Sequence, residues 1–246
     1  MKKKSFVLIV VSLVLCFFAN AEIPDNLLEK SDLAYVPSTS KFHLLIESYE
    51  KNIKKQYYDL DAYVKGNGKY LVIYNNPAIM KGQGQLRLDK TIYMYVRKTD
   101  RLQQVSARTN FYQTVLSQED VMSSMLSYLY NTQTVEETEL DGKNVYKLTL
   151  LAKEKRCTYS KIITYIDVET LLPVKRLFYS YSDQLIKESI IEEVNKENGK
   201  MKYVRFRVVN SSNTSNYSIV EMKDFDDEYE ITDEMFSVGY LKAHVK

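Results

Sequence analysis

From Lys41 onward the apolar residues recur at every second position, and polar or small residues break the pattern at short intervals. FHLLIESY, QYYDLDAYV, KYLVIYN, QLRL, TIYMYV and LQQVS are the first such runs. Gly66-Asn67-Gly68, Asn75-Asn76-Pro77, Gly82-Gln83-Gly84 and Thr99-Asp100 separate them as turns. After an interruption the alternation resumes in TQTVEETEL and KNVYKLTLLA, which flank Asp141-Gly142, a pair that suits a tight hairpin because both residues accept positive φ. CTYSKIITYIDVE, PVKRLFYSYS, LIKESIIEEVN, MKYVRFRVVN and NYSIVEMKDF follow. Period-two alternation over runs this short predicts strands. The loops are too short for parallel crossovers, so sequence neighbours should pair as antiparallel meanders.

Three stretches read as helix. LLEKSDLAYV follows Pro24-Asp25-Asn26 and ends before Pro37. Ser117-Gln118-Glu119-Asp120 has the form of a capping box, and Val121, Met122, Met125, Leu126 and Leu129 recur at helical spacing behind it, predicting one helix over 118–130. ITDEMFSVGYL near the end reads as a helical turn docking Phe236 and Leu241. The expected class is therefore mainly β (α+β), with about ten or eleven antiparallel strands and few helices. A sheet that wide has to curl or close.

The strands hold more apolar side chains than a half-solvated sheet needs. YLVIYNNPAIMKGQGQLRLDKTIYMYV is the clearest case, with large apolar residues flanking its polar ones. A curved sheet with an amphipathic helix inserted midway can enclose an apolar hollow suited to a lipid or acyl chain; a completely filled core satisfies the same pattern. Alternation gives the inward set as Phe42, Leu44, Ile46, Ile92, Met94, Val96, Tyr146, Leu148, Leu150, Val204, Phe206 and Val208. The helix adds Met122, Met125, Leu126 and Leu129 as a lid over it. A one-residue slip would turn every strand member outward.

The first residues change the picture of where this sheet works. Lys2, Lys3 and Lys4, the apolar run from Phe6 to Phe18, and Ala19-Asn20-Ala21 have the three parts of a secretory signal. Cleavage between Ala21 and Glu22 would leave a single domain over 22–246. Two competing readings are a lipoprotein signal acylated at Cys16, disfavoured by the bulky Leu15, and an uncleaved anchor. The formal net charge of +2 includes the three leader lysines, so the remainder sits near −1, which argues against nucleic acid as a partner. Cys157 is then the only cysteine, so no internal disulfide can form and a large core has to supply stability.

Candidate chemistry is sparse. His43 and His244 are the only histidines, and neither an H-E-x-x-H nor a G-x-S-x-G pattern occurs. His43 reads as a solvated strand residue and Cys157 as a small buried hydrophobe. Gly66-Asn67-Gly68-Lys69 lies between two strands, so it reads as a turn and not a phosphate loop. Asp224-Phe225-Asp226-Asp227-Glu228 lacks the glycine of a calcium loop and reads as a solvated acidic turn. No catalytic group, metal or cofactor is expected.

Pro77-Ala78-Ile79-Met80-Lys81-Gly82, then Leu86 and Leu88, then Ile92-Tyr93-Met94-Tyr95 and Arg101, resembles the outer-membrane lipoprotein-sorting protein family with the LolA-like fold. Ser117, Asp120 and Val121 resemble the family's Ser-x-x-Asp-apolar helix start, Leu171-Leu172-Pro173-Val174-Lys175 its later strand, and residues 233–241 its ending. Tyr93 stands where the family usually has Trp, and Val96-Arg97 where it has Pro. The resemblance implies a curved antiparallel half-barrel covered by helices, with an apolar cavity for acyl chains. It further implies a monomeric periplasmic carrier of lipid or lipoproteins, served by an inner-membrane exporter and an outer-membrane acceptor. The rival reading is a non-enzymatic regulator or scaffold that uses the same fold to sense lipoproteins or bind an envelope membrane partner.

Overall fold

Residues 23–122 and 125–244 are described by the structure, a computed structural model. The leader, with Cys16 and the expected cleavage point between Ala21 and Glu22, lies outside the described residues, as do Ser123 and Ser124. A first helix, α1 (Leu27–Tyr35), precedes β1 (Thr39–Glu50), β2 (Ile53–Lys65), β3 (Lys69–Asn76), β4 (Gly84–Leu88), β5 (Thr91–Val96) and β6 (Arg101–Val105). Two short helices follow, α2 (Gln118–Met122) and α3 (Leu126–Leu129). The second half holds β7 (Tyr130–Leu140), β8 (Lys143–Ala152), β9 (Lys161–Asp167), β10 (Pro173–Tyr179), β11 (Leu185–Glu197), β12 (Lys200–Asn210) and β13 (Tyr217–Asp226), then α4 (Val238–His244).

All thirteen strands join one sheet in the order β6-β5-β4-β3-β2-β1-β13-β12-β11-β10-β9-β8-β7. The expected ten or eleven is thus an undercount. Each alternating run is a strand, including short QLRL and LQQVS, because β4 and β6 each complete a ladder beside β5. The sheet is open, with β6 and β7 as its edges. Every pairing is antiparallel, and all but one join sequence neighbours. The exception is the seam between β1 and β13, where Leu44 faces Met222 and Ile46 faces Val220. The segment from Ser106 to Leu129 joins the two edges and has to cross one face of the sheet to do so, which makes that face the inner one.

Cross-strand register fixes which side chains point inward. Met94, Gln85, Val72, Ala62 and Phe42 form one row, and Leu148, Thr164, Arg176, Ser189 and Val208 another. Phe42, Ala62, Val72 and Val208 belong to the main buried cluster, together with Phe111, Leu116, Val121 and Met122 of the crossing segment. A second inner cluster gathers Tyr146, Leu148, Leu150, Ile162, Phe178 and Tyr159 under Leu27, Leu28 and Leu129. The outer face is covered only locally, where Ile231, Met235, Phe236 and Leu241 pack on Tyr63, Leu71, Leu86 and Tyr95. The expected docking of Phe236 and Leu241 is thereby realised, through a 3-10 turn at Asp233–Phe236 followed by α4.

Gly84 is where that outer packing is tightest. A Cβ on Gly84 would lie 2.5 Å from Leu241 Cδ1 and 3.0 Å from the Val72 carbonyl oxygen. Leu241 is fully buried and has little room to retreat. Gly84→Ala is expected to cost about 1–3 kcal/mol by overpacking and to loosen α4. Chemical denaturation together with proteolysis of the C-terminal segment checks this; an unchanged midpoint would show that α4 shifts freely.

The helix expected over 118–130 is broken. Met125 is extended, with φ −132° and ψ 113°, between α2 and α3. The Ser127 N–H, which in an unbroken helix would bond four residues back, donates instead to Asp32 Oδ2 of α1 at 2.8 Å. A tertiary partner has replaced a helical one. The start of α2 is as expected: Asp120 N–H donates to Ser117 Oγ at 3.2 Å and Ser117 N–H to Asp120 Oδ2 at 2.6 Å, a reciprocal capping box. Asp141 and Gly142 take φ 51° and 78° in the β7–β8 hairpin.

Candidate functional site

Between the inner face and the segments that cross it lies a cavity of about 80 Å³. Leu44 and Ile46 of β1, Val220 and Met222 of β13, and Phe206 and Val208 of β12 form its apolar wall. Tyr35 at the end of α1, Val36 just after it, Leu116, Val121 and Leu126 close it from the other side. Glu119, Asp120, Tyr159, Arg176 and Ser189 give it a polar end. A drug-sized ligand pocket is typically 300 Å³ or more. A ligand of that size therefore fits only if the crossing segment moves.

Two buried networks hold that segment down. Asp120 accepts hydrogen bonds from Tyr159 OH at 2.7 Å and from Lys187 Nζ at 2.5 Å, and Lys187 also donates to the Val115 carbonyl at 3.1 Å. Lys187 is only 6% exposed and stands on β11, so the ion pair ties α2 to the sheet. The second network centres on Glu119. Its Oε2 accepts from the Thr158 N–H at 3.0 Å and the Thr158 hydroxyl at 2.9 Å, and its Oε1 from Tyr130 OH at 2.9 Å. Burial pushes the Glu119 carboxyl above its ordinary range, and those three donors pull part of the way back. Arg87, also buried, donates through Nη1 to the Met122 carbonyl at 3.1 Å. Burial lowers the Arg87 pKa, with the Glu119 charge opposing that shift.

Of the inward set read from the sequence, Leu44, Ile46, Phe206 and Val208 line the cavity, and so does Leu126 of α3. Phe42, Ile92, Val204 and Met122 point to the same face but are packed in the main core beside it. Tyr146, Leu148, Leu150 and Leu129 lie in the second cluster. Met94 is half-buried, with Tyr112 OH donating to its Sδ at 3.4 Å, and Val96 is half-buried at the end of β5. Met125 is buried in the break between α2 and α3. The strand parity read from alternation holds on β1, β5, β8 and β12. The polar end was missed. In the sequence Glu119 and Asp120 read only as part of a helix cap, and Arg176 only as a residue of the run PVKRLFYSYS. Its signal was the shared parity of Arg176 and Phe178, with Ser189 and Lys187 facing them across the ladder.

The other candidates stand apart from the cavity. His43 Nδ1 lies 2.9 Å from Asp61 Oδ1 on the outer side of β1 and β2. Cys157 is buried, its thiol directed at the Leu129 carbonyl, and burial raises its pKa, which suits an inert side chain better than a nucleophile. Among the described residues no group of three or more His, Cys, Asp or Glu side chains is placed to hold a metal ion.

A family model described as "Uncharacterized protein" matches residues 66–243. The chain belongs to that family. No curated protein matches the sequence. Solved structures match the fold closely. A LolA superfamily protein from Nitrosomonas europaea superposes with a TM-score of 0.81 at 21% identity, over 89% of this chain and 100% of that one. A DUF1329 family protein from Desulfovibrio piger gives 0.75 at 18% identity, over 88% and 96%. A domain from Vibrio parahaemolyticus, described as an outer membrane lipoprotein-sorting protein, gives 0.72 at 17% identity, over 83% and 92%. The open thirteen-stranded sheet with its crossing segment is a LolA-like fold.

Proposed function

We propose that this LolA-like protein is a non-enzymatic carrier in the periplasm that sequesters acyl chains of lipids or lipoproteins, for outer-membrane lipoprotein sorting or lipid transport. The observation that carries the reading is the cavity itself: an apolar wall on the inner face, roofed by a segment whose helix is broken in two and which is held by buried polar bonds as well as by the packing of Phe111, Leu116, Val121 and Met122. Ion pairs and hydrogen bonds can be exchanged with water as the roof lifts, so they suit a cover that opens and recloses. In this reading an inner-membrane exporter loads the carrier and an outer-membrane acceptor unloads it.

Native mass spectrometry of gently purified protein, followed by lipid extraction, should show bound lipid. Val208→Phe places extra bulk on the cavity wall, where Val208 is buried. That variant should lose most of the bound lipid while melting cooperatively, with an overpacking cost of about 1–3 kcal/mol at most. Wild-type protein that never carries lipid, or a variant that carries the same amount, would overturn the proposal.

A further inference from the structure

The inner wall of the cavity is apolar except along one cross-strand row. Arg176 of β10 faces Thr164 of β9 on one side and Ser189 of β11 on the other, so all three side chains share the inner face. Arg176 and Ser189 line the cavity. The Arg176 Nε is buried with no hydrogen-bond partner, and so is Thr164 Oγ1, on a residue only 1% exposed. The guanidinium carbon lies 5.4 Å from the centre of the Tyr35 ring, a cation–π contact with the cavity roof. Among the described residues no carboxylate lies within ion-pairing distance of this guanidinium. Asp32 is near enough to feel its charge, yet its carboxylate is engaged by the Ser127 N–H. Two further cations of the inner face are already engaged, Lys187 with Asp120 and the Val115 carbonyl, and Arg87 with the Met122 carbonyl.

A partly buried guanidinium with no carboxylate in direct contact and an unpartnered N–H is unfavourable unless something supplies the missing acceptor. A guanidinium offers several N–H donors in a plane, matched to the paired oxygens of a carboxylate or phosphate. We infer that the cavity takes an anionic amphiphile, with a carboxylate or phosphate headgroup held by Arg176 and Ser189 and its acyl chain lying along Ile46, Val208 and Val220. This rests on the carrier reading and narrows it: among acyl ligands, those with a negative headgroup are preferred over neutral ones. Tyr35 and Leu126 would then close over the headgroup end.

The test compares three twelve-carbon ligands, laurate, dodecyl phosphate and 1-dodecanol, by isothermal titration on the full chain, with inorganic phosphate as the headgroup alone. Wild-type protein should bind both anions at least about tenfold more tightly than the alcohol, as expected for a charge-assisted hydrogen bond. Inorganic phosphate should not displace laurate, which would show that the ligand is an amphiphile and not a free ion. Arg176→Gln should weaken laurate and dodecyl phosphate far more than 1-dodecanol and so remove most of the preference, and Arg176→Lys should restore part of it. Equal binding of all three ligands by wild-type protein overturns the inference and leaves the carrier reading standing. Binding of none overturns both. If Arg176→Gln fails to fold by circular dichroism, the wild-type headgroup comparison still decides.

Discussion

Asp120→Ala should destabilise the protein by about 3–5 kcal/mol, because it leaves a buried cation without its counter-charge. Lys187 is held within hydrogen-bonding distance by Asp120 and by one carbonyl, and almost none of it reaches solvent. The same substitution removes the acceptor for Tyr159 OH and half of the capping box at the start of α2. Urea denaturation followed by circular dichroism measures the loss. Asp120→Ala combined with Lys187→Met should recover a substantial part of it, since the orphaned charge is gone and a methionine fills a similar volume. A single variant within about 1 kcal/mol of wild type would show that water reaches Lys187 freely and that the pair does not anchor the crossing segment.

Phe111→Ala should be comparably severe, about 3–5 kcal/mol, for a different reason. Phe111 is fully buried and lies against three tyrosines: Tyr58 at 5.4 Å, Tyr74 at 6.1 Å and Tyr112 at 5.0 Å between ring centres. Tyr112 beside it takes φ 48°, an unusual conformation for a tyrosine that surrounding packing must enforce. Removing the phenyl ring leaves a cavity between β2, β3 and the crossing segment and frees Tyr112 to relax. Phe111→Leu should cost markedly less, since most of the volume is kept. Equal losses for the two variants, measured by the same denaturation, would point to the aromatic contacts and not to volume as the source.

Much of this architecture is legible along the chain because each strand pairs with its sequence neighbour. Alternation then reports the inner face directly, which is why Phe42, Leu44, Ile46, Leu148 and Val208 fall where period two puts them. The capping box at Ser117 and Asp120 and the hairpin at Asp141 and Gly142 were legible for the same reason, since both are local bonds. What local pattern cannot carry is a competition won by a distant group. The stripe through Val121, Met125 and Leu129 is helical in spacing, yet Asp32, far away in sequence, claims the Ser127 N–H and the helix divides. The polar end of the cavity escaped notice similarly. Arg176, Ser189 and Lys187 look like ordinary outward positions until the ladder sets them opposite one another and opposite α2.

The seam between β1 and β13 also decides the order in which the molecule can be made. Every other strand pairing closes a short loop and can form as soon as its two strands exist, whereas this one waits for the last strand of the chain. Until Tyr217 to Asp226 has been synthesised, β1 and β12 are the bare edges of two separate half-sheets, each with an apolar inner face. Contacts so far apart in sequence form slowly, and unpaired edges invite pairing with other chains. The protein's most vulnerable period is therefore the interval between the emergence of β12 and the arrival of β13. A chain cut short by only its final thirty residues would be left permanently in that condition, holding nearly all the sheet and none of the bond that makes it one.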